Sequence, residues 1–122
     1  MARFAYRMQS ILNIKVQMES QAKMEFGLAS SALAAEEEKL EGMRKSREEY
    51  VELGRQLRNE GIDILKIKEN EQDVKAMDYL IEGQIEQVKI AQREVERARL
   101  KLTQVMQERK AQERLRERAV EE

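Results

Sequence analysis

The side chains able to do chemistry in this sequence are carboxylates and amines. It carries 24 Asp and Glu against 23 Lys and Arg, with no histidine and no cysteine. Without histidine the commonest general base and metal ligand is missing. Without cysteine there is neither a disulfide framework nor a thiolate metal site. Acid–base catalysis on carboxylates and lysines stays chemically open, but these residues are spread along helical faces with no apparent pocket, and the chain has no Walker-type glycine loop. The expectation is a protein that is not an enzyme and needs no cofactor.

What charges at this density can do is pair along a helix or steer a macromolecular partner. Near the C-terminus, Glu94, Glu96, Glu108, Glu113 and Glu117 are interleaved with Arg97, Arg99, Arg109, Lys110, Arg114, Arg116 and Arg118. At helical spacing these can satisfy one another as a solvated face, or they can form a docking end for an acidic protein. A net charge of −1 and the lack of any DNA- or RNA-binding module argue against nucleic acid.

The elements that carry these charges are helices. The chain is 39% charged and 41% apolar, with no proline and five glycines, a composition suited to long exposed helices. Ile67, Val74, Ile81, Val88, Val95 and Leu102 recur every seven residues, and Asn70, Met77, Gln84, Ala91, Ala98 and Val105 follow each by three. That alternation of three and four is the seam of a coiled coil. In the first half, Phe4, Met8, Ile11, Met18 and Ala22 begin a stripe, with Lys15 filling one slot, and Phe26, Ala29, Leu33, Leu40, Met43, Tyr50 and Leu57 continue it. The step pattern changes near residue 22, which reads as a stutter. Tyr6, Leu12, Ile14 and Val16 lie beside the stripe and form a second apolar face, suited to ordinary packing, to a protein partner or, less well, to a membrane surface. Glu36 falls on the seam near Gln84 and Val88, and the reading favoured here turns it outward rather than into a buried polar pair.

One turn signal stands out. After Arg58-Asn59-Glu60, Gly61 can adopt the left-handed conformation, Ile62 can make the accompanying apolar contact, and Asp63 can cap a new helix. The other glycines read as tolerated within helices. The expectation is an all-α fold, a long two-helix antiparallel coiled-coil hairpin forming a single domain over 1–122. Helix 1 spans about 3–58, the turn about 59–62 and helix 2 about 63–120, so that position n faces roughly 122 − n. Each arm would be roughly 85–90 Å long at 1.5 Å per residue. The same stripes can instead zip two chains together, so a self-associating structural scaffold is the alternative. With no run of about 18 apolar residues and no signal-peptide core, the chain is expected to be cytosolic and not to span a membrane.

Charge is unevenly placed. Residues 36–82 hold 14 acids and 9 bases, whereas residues 1–24 hold four bases and one acid and residues 93–118 nine bases and five acids. A hairpin would gather the two basic segments together and leave the turn region acidic.

The opening Arg3-Phe4-Ala5-Tyr6-Arg7-Met8-Gln9-Ser10-Ile11-Leu12-Asn13-Ile14-Lys15, followed by Glu19 and Gln21-Ala22-Lys23, resembles the start of the flagellar export protein FliJ family. Glu48-Glu49-Tyr50 before a glycine-containing turn is similar to the same family, as is the closing Glu108-Arg109-Lys110-Ala111-Gln112-Glu113-Arg114-Leu115-Arg116-Glu117. The resemblance implies a component of the flagellar type III export apparatus that serves motility. It implies a two-helix coiled coil similar to the stalk of the γ subunit of rotary ATPases. The joined ends would sit within the export ATPase ring, the turn-proximal region would contact the membrane-embedded export gate, and export chaperones would be further partners. By position, the ATPase-facing candidates are Arg3, Phe4, Arg7, Met8, Ile11, Arg109, Lys110, Arg114 and Leu115. The gate-facing candidates are Met43, Ser46, Tyr50, Met77, Ile81 and Gln84, of which Met43, Tyr50, Met77 and Ile81 also satisfy the seam pattern and read equally well as helix-packing residues. The implied location is the cytoplasm, at the inner face of the cell membrane below the flagellum, with the chain a monomeric hairpin.

Overall fold

A computed structural model describes residues 2–61 and 63–121. Two helices account for nearly all of them: α1 (Ala2–Glu60) and α2 (Ile64–Glu121). The fold is all-α, a two-helix antiparallel coiled-coil hairpin. With no proline anywhere in the sequence, nothing forces either helix to break.

The reversal is built as the sequence suggests at the residues that are described. Gly61 takes φ +65°, a conformation that costs a residue with a Cβ about 1–2 kcal/mol. Its N–H donates to the Leu57 carbonyl at 3.1 Å, which satisfies one of the open carbonyls at the end of α1. Asp63 then caps α2, its Oδ1 accepting from the N–H groups of Leu65 at 3.1 Å and Lys66 at 3.2 Å. The apolar contact expected of Ile62 lies outside the described residues.

The chain forms two compact units. A terminal unit joins Met1–Ser31 to Arg93–Glu122, and a hairpin unit comprises Ala32–Gln92. Each is an antiparallel helix pair. In the terminal unit Leu12, Ala22, Val105 and Ala119 are buried, and in the hairpin unit Leu40 and Val88 are. Two helices share only one seam, so most apolar side chains keep one side in water. Among the described residues, none of the large side chains is fully buried.

The seam of α1 follows the expected one from Ala22 to Leu57 and departs from it before Ala22. Burial recurs at Met8, Leu12, Lys15, Glu19, Ala22, Phe26 and Ala29 in the terminal unit, in unbroken alternation of four and three. In the hairpin unit the same alternation runs through Leu33, Glu36, Leu40, Met43, Arg47, Tyr50, Gly54 and Leu57. No stutter occurs near residue 22. Phe4, Ile11 and Met18 flank the seam instead of filling it, and Leu12, placed by the sequence on a second face, belongs to the seam. Five seam positions are polar or lack a side chain, namely Lys15, Glu19, Glu36, Arg47 and Gly54, and it is Glu19, beside the apolar Met18, that hid the periodicity before Ala22.

Candidate functional site

Those polar seam residues are the best-defined chemical groups in the molecule, and each is held by a partner from the other helix. In the terminal unit Glu19 is buried, and Arg109 Nε donates to its Oε2 at 2.6 Å. Lys23 reaches the other carboxylate oxygen at 3.5 Å, and Arg109 also meets Glu113 at 3.0 Å. The Arg109 hydrogen bond holds the Glu19 carboxyl below its usual 4.5, outweighing the opposing effect of burial. The Arg109 guanidinium is correspondingly raised, first by Glu19 and then by Glu113. Nearby, Lys15 meets Glu108 at 3.2 Å, and Gln112 Nε2 donates to the Met8 sulfur at 3.2 Å.

In the hairpin unit Gln84 is buried at 4% exposure, and its Nε2 donates both to the Glu36 backbone carbonyl at 2.9 Å and to the Glu36 carboxylate. Glu36 therefore faces inward, contrary to the outward orientation expected, because Gln84 supplies the donor its carboxylate needs. Asn70, also 4% exposed, donates through Nδ2 to the Tyr50 carbonyl at 2.8 Å. It reaches that carbonyl because Gly54 has no side chain: a Cβ there would overlap Asn70 Oδ1. Gly54 is thus required by close approach and is not merely tolerated. Arg47 and Asp78 form a further cross-helix ion pair in this unit.

These contacts are structural chemistry. Among the described residues, no group of three or more His, Cys, Asp or Glu side chains is placed to hold a metal ion. None of the buried side-chain polar atoms among them lacks a hydrogen-bond partner. A buried polar residue at a seam position fixes register and pairing at some expense in stability. That is the role these contacts fit.

The surfaces are where partners can be met. Of the ATPase-facing candidates, Arg3, Phe4, Arg7, Lys110, Arg114 and Leu115 are exposed in the terminal unit, Ile11 and Met8 are half-buried, and Met8 is in the seam. Arg109 is different, because its head group is committed to Glu19 and Glu113. Of the gate-facing candidates in the hairpin unit, Met43, Ser46, Tyr50, Met77 and Ile81 are half-buried along the helix contact and Gln84 is buried. None of the six is an exposed side chain.

Sequence reasoning missed a more accessible face in that unit. Gln72, Ala76, Tyr79, Leu80, Gly83, Gln87 and Ile90 are all exposed and lie on one side of α2, and none carries a charge. In a chain that is 39% charged, five turns without one are conspicuous. Their spacing of three and four was visible in the sequence, but next to the stronger β-branched seam it passed for surface. The units also differ in charge: the terminal unit has 13 bases and 9 acids, net +4, and the hairpin unit 10 bases and 15 acids, net −5.

No helix among the described residues is long and apolar enough to cross a membrane. Residues 4–122 match the protein-family model described as "Flagellar FliJ protein". No curated protein and no solved structure matches the chain.

Proposed function

From the premise that this chain belongs to the flagellar FliJ protein family, we propose that it is a non-enzymatic adaptor of the flagellar type III export apparatus. Family membership carries the flagellar export role, and the partners are our reading. The basic terminal unit docks on the export ATPase ring through Arg3, Phe4, Arg7, Ile11, Lys110, Arg114 and Leu115. Met8 and Arg109 act from within, by holding α1 against α2. The acidic hairpin unit meets the export gate through the uncharged face of α2 between Gln72 and Ile90. The seam residues Met43, Ser46, Tyr50, Met77, Ile81 and Gln84 support that face from behind. Export chaperones are further partners. The chain works in the cytoplasm at the inner face of the cell membrane below the flagellum, as a monomeric hairpin.

The observation that carries this reading is that two units of opposite net charge, +4 and −5, each expose a surface their own helices do not cover. A charged surface raises the rate and selectivity of encounter with a complementary one. The ATP chemistry belongs to the partner.

The test is the turnover and oligomerisation of the purified export ATPase with and without this chain. The chain should raise both, and reversing charge at Arg7 and Arg114 should weaken the effect. If the ATPase does not respond to the chain, or responds equally to the reversed variant, the assigned docking surface is wrong. For the gate, replacing Tyr79 and Ile90 by serine should weaken binding to its cytoplasmic domain, whereas unchanged binding would remove that face from the account.

A further inference from the structure

The terminal unit carries an apolar stripe along one flank that neither of its helices covers. Glu25 and Lys101 are joined across the helix pair at 3.0 Å, which fixes them on the same flank. Because a coiled coil returns to the same face every seven residues, stepping back from Glu25 reaches Met18, Ile11 and Phe4. Stepping forward from Lys101 reaches Glu108 and Leu115. Ile14 lies between Ile11 and Met18 on the outer side of the same face. Phe4, Ile14, Met18 and Leu115 are exposed, at 54%, 55%, 41% and 48%. From Phe4 to Met18 the stripe is about 21 Å long at 1.5 Å per residue, close to four helical turns.

The cations of the unit are of two kinds. Lys15, Lys23, Arg97, Arg99, Lys101 and Arg109 each have an acidic partner within the chain. Arg3, Arg7, Arg114 and Arg118 form no ion pair among the described residues. Arg7 stands one turn from both Phe4 and Ile11 on their own side of α1. On α1 the stripe is apolar from Phe4 to Met18 apart from Arg7 on its outer side, and on α2 the flank presents Leu115 and Glu108, the latter already paired with Lys15.

We infer that this flank receives an amphipathic α-helix with acidic borders, presented by a partner protein, which packs on the terminal unit as a third helix. The heptad spacing of Phe4, Ile11 and Met18 matches the apolar repeat of a helix lying alongside, and the unpaired cations select acidic borders. A helix of about four turns, with its apolar residues repeating at three and four, covers the whole stripe. The inference rests on the reading that the terminal unit docks to a partner, and it names the surface feature that partner must present.

The test titrates the full chain with a labelled synthetic 21-residue peptide that has Leu at the seam positions and Glu at the flanking ones. One control has the same composition with the apolar phase scrambled, and another has Lys in place of Glu. The first peptide should bind at least about tenfold more tightly than either control, and Ile14→Ser/Met18→Ser should weaken it by about tenfold with an unchanged melting curve. Equal binding of the three peptides, or indifference to the double substitution, overturns the inference. Sedimentation of the same variant checks a second occupant: if the substitution dissolves a dimer, the stripe belongs to another copy of this chain and the inference is overturned. An export ATPase that ignores the wild-type chain, with peptide discrimination intact, counts against the docking reading alone.

Discussion

Gly54 and Asn70 fit each other as space and filler: the Asn70 carboxamide occupies the volume where a side chain at position 54 would stand, and from there donates to the Tyr50 carbonyl at 2.8 Å. The pairing ties a residue with poor helix propensity to the one polar group that needs its absence of a side chain.

That dependence predicts a reversal of sign. Alanine normally stabilises a helix by about 1 kcal/mol over glycine, so Gly54→Ala should raise the melting temperature if nothing stood opposite. In the wild-type background it should instead lower it, by displacing Asn70 from the Tyr50 carbonyl. In an Asn70→Ala background the same change should become stabilising. Circular dichroism at 222 nm on the four proteins of this cycle checks it, with a non-additive term of about 1–2 kcal/mol expected.

Acid should loosen the terminal unit through Glu19. Its carboxyl is held below the usual 4.5 by Arg109, so it binds fewer protons folded than unfolded at mildly acidic pH. The stabilisation is present above the unfolded-state value and is lost as pH falls through the folded one. Urea midpoints measured from pH 7 down to pH 3 should fall for the wild type, and the fall should be shallower for Glu19→Gln. At pH 7 that variant should be less stable by about 1–3 kcal/mol, the scale of a hydrogen bond to a charged group.

Arg109 and Arg114 should separate stability from docking. Arg109→Glu places a second carboxylate against Glu19 and should lower the melting temperature, with ATPase stimulation falling as a consequence. Arg114 is exposed and makes no ion pair among the described residues. Arg114→Glu should leave the melting curve within about 0.5 kcal/mol of wild type while weakening stimulation. Parallel melting and turnover measurements on the two variants distinguish these outcomes.

Glu36 and Gln84 should prove to hold register more than stability. Replacing both by leucine removes a partly buried polar pair and fills the seam, which should raise stability by about 1–4 kcal/mol. The same substitution removes the polar pair that disfavours slipped or intermolecular pairing. Sedimentation velocity should then show oligomers that the wild type lacks.

How much of this was legible in the sequence follows from where polar residues fall. The α2 seam could be read directly, since Ile67, Val74, Ile81, Val88, Val95 and Leu102 form an unmixed apolar row. The Gly61 reversal and the Asp63 cap could be read because each uses a residue type suited to one backbone task. The α1 seam could be read from Phe26 to Leu57 but not before Ala22, because Glu19 enters it only by virtue of Arg109, 90 residues away, and the inward turn of Glu36 depends likewise on Gln84, 48 residues away. A one-dimensional apolar pattern has no access to such pairing, and Ile11 and Met18, lying beside the seam, took its place in the reading. The same limit hid the requirement for Gly54, whereas the gate-facing candidates came from position within the family resemblance and fall on the seam. The exposed, uncharged face of α2 carries the accessible side chains.

The account stands on the two ends of the chain forming one surface, and Met8 opposite Gln112 gives direct access to it. The sequence contains no cysteine, so Met8→Cys/Gln112→Cys introduces a single possible disulfide between α1 and α2. The decisive measurement is export ATPase turnover in the presence of this oxidised variant, with its mass determined under non-reducing conditions. The account predicts a monomer, internally bridged, that stimulates turnover as well as the wild type does. Bridging only between chains, or an internally bridged monomer that no longer stimulates, would contradict it.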